Sequence, residues 1–101
     1  MTEPGAPPVV IHNAAAQRFE VPLGGEFARA DYRVDGNVMR MMHTEVPPDQ
    51  EGKGIAGALV RAALAYARAQ DLKVAPLCSY VRSYMQRHPE THTLLAPGSA
   101  L

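Results

Sequence analysis

Glu51-Gly52-Lys53-Gly54-Ile55-Ala56 is the stretch that decides how this chain folds. It follows an extended apolar run and opens the one long helix-forming segment, so its backbone N–H groups belong at a helix N-terminus. Unpaired amides and the positive end of the helix dipole favour an anion there, and glycine lets a diphosphate approach the main chain closely. Glycines at a strand-to-helix turn also serve turn geometry alone, so phosphate binding and a bare turn both stand at this point.

Upstream, Val38 to Val46 predicts a strand that Pro47-Pro48 stops. Strict alternation puts Met39, Met41, His43 and Glu45 on one face, and Val38, Arg40, Met42, Thr44 and Val46 on the other. Downstream, Gly52 to Gln70 predicts an alanine-rich helix with Ile55, Leu59, Ala62, Ala63 and Tyr66 on one stripe and Arg61 and Arg68 opposite. Leu72 to Leu77 is then a strand reached through a βαβ crossover, hence parallel to Val38–Val46. A shorter helix, Ser79 to Arg87, turns Tyr80, Val81, Tyr84 and Met85 inward, and His88-Pro89 ends it.

Before the deciding stretch the pattern has period two. Val9 to Asn13 is a short β-branched run. Phe19, Val21 and Leu23 share one face of a strand that Gly24-Gly25 turns. Ala28, Ala30, Tyr32 and Val34 share the dry face of the next strand, with Arg29, Asp31, Arg33 and Asp35 on its wet face, and Asp35-Gly36-Asn37 suits a tight hairpin. The expected organisation is one domain over residues 9–95, a proline-containing disordered lead-in over 1–8 and a loose tail over 96–101.

Composition narrows the function classes. A chain of 101 residues, 47% hydrophobic, supports one core and leaves little room for a second lobe. Ten basic and ten acidic residues cancel without clustering, which argues against nucleic acid or an acidic membrane surface as partner. Cys78 is alone, and no stretch has the length and apolarity of a signal peptide or membrane span, so a cytoplasmic location is expected. His12, His43, His88 and His92 are dispersed and Cys78 has no companion cysteine, so no metal is expected.

His43-Thr44-Glu45-Val46-Pro47-Pro48, the Glu51–Ala56 loop, Leu77-Cys78-Ser79-Tyr80-Val81, and Tyr84 with His88-Pro89-Glu90 together resemble the acetyl-CoA-binding core of the GNAT acetyltransferase superfamily. The likeness is greatest to its short stand-alone N-acetyltransferase-like members. It implies an α/β (α+β) GNAT-like fold, with antiparallel strands leading into a parallel βαβ unit with two main helices. It also implies acetyl transfer from acetyl-CoA to an amine, small molecule or protein, without an obligatory covalent intermediate.

On that resemblance, Val46, Glu51, Gly52, Lys53, Gly54, Ile55 and Ala56 are the expected acetyl-CoA-binding residues. Glu51 occupies a place where the superfamily pattern has Gln or Arg, a departure that touches the side chain and spares backbone contacts. Glu45 or His43 is the expected proton acceptor, and Tyr84 the group that protonates the departing thiolate. Cys78, at a strand end before a helix, is either a nucleophile or a small buried hydrophobe. Strands that complete the acceptor side in longer members are not evident after the second helix, so an open cleft or a partner chain completing it is expected. Two other classes stay open: a CoA-binding or acyl-sensing module with little turnover, and a small interaction domain whose glycine loop is only a turn.

Overall fold

The computed structural model describes residues 8–101; the lead-in expected over residues 1–8 lies, apart from Pro8, outside the described residues. Five strands form one sheet in the order of the chain: β1 (Ile11–Asn13), β2 (Arg18–Leu23), β3 (Glu26–Asp35), β4 (Val38–Glu45) and β5 (Lys73–Pro76). The first four pair antiparallel through tight connections, and β5 adds to β4 in parallel after the crossover through α1 (Ile55–Ala69). This is the mixed α/β arrangement that the hydrophobic periods predict. Helix α2 (Ser79–Arg87) and a 3₁₀ segment, Pro89–Leu94, follow.

The core lies on one face of the sheet. Phe19, Val21, Ala28, Ala30, Tyr32, Met39 and Met41 supply the sheet side, while Ile55, Leu59, Ala63 and Ala67 supply the α1 side. Alanine at every turn of α1 removes bulk between helix and strands, which lets the larger Met39, Met41 and Leu59 interlock. From α2, Val81, Tyr84 and Met85 enter the same core. Val34, expected on the dry face, is exposed, although Met39, its partner across the β3–β4 pairing, is buried. Ala96, counted on sequence with the tail, is buried and donates its N–H to the Val74 carbonyl beside the Val74–Leu95 bridge.

Helix α1 begins three residues later than the alanine pattern suggests, at Ile55. Gly52 and Gly54 have φ of 81° and 77°, a left-handed backbone that cannot continue a right-handed helix.

Far from that loop, His12 ties the β1 edge to the core. Its ring stacks on Phe19 at 4.2 Å and meets Tyr66 edge-on at 4.5 Å, and its Nε2 shares a 2.6 Å hydrogen bond with the Tyr32 hydroxyl. Burial, and then the neighbouring Tyr66, raise the Tyr32 pKa above its ordinary value. The fold therefore favours the neutral phenol. That contribution is complete below the pKa of unfolded tyrosine and is lost as pH rises through the folded value.

Two outcomes are expected. Leu59→Ala, at a side chain with no exposure, should lower stability by about 2–5 kcal/mol in urea unfolding. The urea midpoint of the native chain should fall more steeply above about pH 10 than that of Tyr32→Phe; parallel curves would reject the Tyr32 contribution.

Candidate functional site

The start of α1 is built to leave its donors open. Gly54 is the N-cap residue, at φ 77° and ψ 10°, and has no side chain with which to cap. The first bond of the helix runs from Ala58 N–H to the Gly54 carbonyl, 3.1 Å, so the amides of Ile55, Ala56 and Gly57 precede it. No acidic side chain lies in the first turn to neutralise the dipole. Three amides and a helix dipole thus face the same way.

What they face is set by β4. Asp31 of β3 pairs with His43 and Tyr32 pairs with Met41, so Met42 is an extra residue in β4, a β-bulge. The bulge reverses which residues point inward. Met39 and Met41 are buried ahead of it, while beyond it Thr44 and Val46 turn toward the helix side. His43 and Glu45 turn to the outer face, opposite Asp31 and Arg29. This corrects the strict alternation that put Met39, Met41, His43 and Glu45 together.

Beside the bulge, β5 departs. Its pairing ends at Met41↔Pro76, and the N–H groups of Leu77 and Cys78 both donate to the Met41 carbonyl, at 3.1 and 2.9 Å. Strand β4 runs on through Glu45 without β5 alongside. Between this end of β4, the loop and α2 opens a cleft of about 370 Å³, lined by Thr44, Val46, Gln50, Glu51, Gly52, Gly54, Ile55, Ala56, Gly57 and Tyr80.

Six of the seven residues expected to bind the cofactor line this cleft: Val46, Glu51, Gly52, Gly54, Ile55 and Ala56. Lys53 does not; its Nζ donates to Gln50 Oε1 at 3.0 Å. The four expected catalytic residues are placed differently. His43 and Glu45 form an exposed pair, Nε2 to Oε2 3.1 Å, and the same Oε2 accepts from Arg29 Nη2 at 3.1 Å. Arg29 also donates to Asp31 at 3.0 Å. Cys78 is half-buried, and its Sγ–H donates to Thr44 Oγ1 at 3.6 Å across the mouth of the strand split. Tyr84 is buried in the core with its ring stacked on His88 at 4.2 Å, one helical turn beyond Tyr80 and not on the cleft wall. His88 ends α2, its N–H donating to the Met85 carbonyl, and Glu90 beside it is held below the ordinary carboxylate range by its own backbone N–H and by His88.

Thr44, Gln50, Gly57 and Tyr80 line the cleft without having been singled out as site residues. For Gly57 the signal was present: a third glycine, two positions into an alanine helix, where alanine would be the better helix former. Among the described residues, no three His, Cys, Asp or Glu side chains converge as metal ligands would. The arrangement suits an elongated anion: diphosphate at the amides, and an uncharged arm running along the free end of β4.

Comparison with known proteins agrees with this architecture. Residues 18–94 match the model of the GCN5-related N-acetyltransferase family. Protein NATD1 of Gallus gallus is 36% identical over 93 residues, covering 88% of this chain and 84% of the relative, and that of Mus musculus is 36% identical over 91 residues, covering 86% and 82%. A GCN5-like protein from Staphylococcus aureus, solved in solution by NMR, superposes with a TM-score of 0.66 at 24% identity, over 79% of this chain and 81% of that one, and so shares the fold.

At Gly54 an alanine would be forced into the left-handed region although no atom lies within 4 Å of its Cβ. Gly54→Ala should therefore lose about 1–2 kcal/mol of stability from backbone strain alone. For a domain of this size, that lowers the thermal midpoint by at least about 4 °C. Gly25→Ala, at a turn glycine with equal space and no positive φ, is the control and should shift little.

Proposed function

The chain belongs to the GCN5-related N-acetyltransferase family, and from that premise we propose that it is an acetyl-CoA-dependent N-acetyltransferase passing the acetyl group directly to an amine. The observation that carries this reading is the uncapped start of α1 opening onto a cleft whose opposite wall is the unaccompanied end of β4. When bound, acetyl-CoA supplies an activated thioester carbonyl. The amides of Ile55, Ala56 and Gly57 hold the diphosphate, which needs no side chain and so tolerates Glu51 at the loop's start. The Val46 backbone, at the free end of β4, orients the pantetheine arm and polarises the carbonyl.

The amine must arrive uncharged. Glu45, with His43 3.1 Å away, takes its proton through water from the outer face. We assign Tyr84 no part in proton delivery, since it is buried against His88 and away from the cleft. The departing CoA thiolate can take its proton from solvent. The same placement of Tyr84, with His43 and Glu45 on the outer face, favours a second reading: a CoA-binding or acyl-sensing module that acts through a partner with little turnover.

Calorimetry separates binding from a bare turn. Acetyl-CoA and CoA should bind with Kd below about 1 mM, and ATP weakly; no heat with either CoA form would leave only the interaction domain. Turnover separates enzyme from sensor. Thiol release with a panel of amines should drop about 10²–10⁴-fold in Glu45→Gln, and should be little changed in Tyr84→Phe and Cys78→Ala. No release with any amine would favour the sensor, and labelled acetyl trapped on Cys78 would replace direct transfer by a covalent route.

A further inference from the structure

The missing side chain at residue 57 marks a convergence that the loop glycines do not explain. Gly57 lies in the first turn of α1 at an ordinary helical φ, where alanine would serve better, so its bareness has another cause. A methyl built on its Cα would stand 3.2 Å from Nη1 of Arg61 and 3.7 Å from the hydroxyl of Tyr80. Arg61 reaches back one turn along α1, as long helical side chains do, although its place on the wheel suggested the far side. Tyr80 comes across from α2 and lines the cleft. Among the described residues, Arg61 makes no ion pair; its guanidinium is exposed and the Tyr80 ring half-buried. The exposed guanidinium of Arg61 and the half-buried hydroxyl of Tyr80 therefore both approach a bare Cα on the cleft wall.

Resting on the reading of that cleft as the acetyl-CoA site, we propose that Arg61 and Tyr80 clamp one phosphate of the nucleotide donor beside Gly57, and that residue 57 is glycine to let the Arg61 guanidinium lie against the helix start. The guanidinium supplies the positive charge that Glu51 does not, with paired donors suited to phosphate oxygens. The phenol donates from the other side. The clamp reads the diphosphate and ignores the pantetheine arm, so it sets donor affinity and nothing in acyl transfer itself.

The test compares CoA with pantetheine, which lacks the diphosphate and nucleotide, by calorimetry on the full chain and on Arg61→Gln, Tyr80→Phe and Gly57→Ala. Arg61→Gln and Tyr80→Phe should each weaken CoA by roughly 10- to 100-fold, as expected for a lost hydrogen bond to a charged group. Pantetheine binding should stay the same. The Arg61 effect should shrink as salt is raised. Gly57→Ala should raise the thermal midpoint, through better helix propensity, while weakening CoA; a merely structural role would move both in one direction. If the unsubstituted chain binds CoA and the Arg61 and Tyr80 variants bind it equally well, the clamp is wrong and the proposed function stands. If the unsubstituted chain binds no CoA, the function reading falls and the clamp falls with it.

Discussion

One extra residue in β4 governs the geometry of this protein. Met42 has no counterpart in β3, and its insertion turns the strand over between Met41 and Thr44. Ahead of it the side chains that face α1 are buried methionines; beyond it they are Thr44 and Val46, on a cleft wall. The same turnover sends His43 and Glu45 to the face where Arg29 and Asp31 already stand. Residues adjacent in sequence thus serve opposite sides of the sheet: one side lines the cleft, the other meets solvent.

The neighbouring strand completes the opening. The Met41 carbonyl accepts two amide protons, from Leu77 and Cys78, and there the chain leaves the sheet for α2. A parallel strand that continued would have satisfied the main chain of β4 and closed the split. Because it stops, backbone and half-buried side chains from β4, the glycine loop and α2 share one cleft. The core makes this possible in a short chain: an alanine-faced helix lies close on the sheet, and its glycine start needs neither a capping side chain nor a second layer.

Much of this was legible in the residues. Period two over β2 and β3, period 3.6 over α1 and α2, and the crossover logic that makes β5 parallel were all present, and the glycine loop placed open amides at a helix start. The bulge was not. Met41-Met42 alternates as well as any strand, and an inserted residue shows only in the pairing with β3, where Asp31 and Tyr32 skip it. Everything that depended on the parity of β4, above all the placing of His43 and Glu45, had to be corrected with it. Tyr84 and Tyr80 sit one turn apart on the same inner stripe, and helical spacing cannot say which meets a cleft and which fills a core. The convergence over Gly57 is likewise tertiary, since its partner Tyr80 comes from another helix.

The central claim is that backbone amides at the start of α1, together with the free end of β4, form the site for a nucleotide-linked thioester. The most direct measurement is an amide-resolved ¹H–¹⁵N NMR titration of the native chain with CoA. The account requires the largest shifts at Ile55, Ala56, Gly57 and Val46, saturating together, with β1 and β2 unmoved. Shifts centred on another surface, or a spectrum unchanged at millimolar CoA, would contradict it.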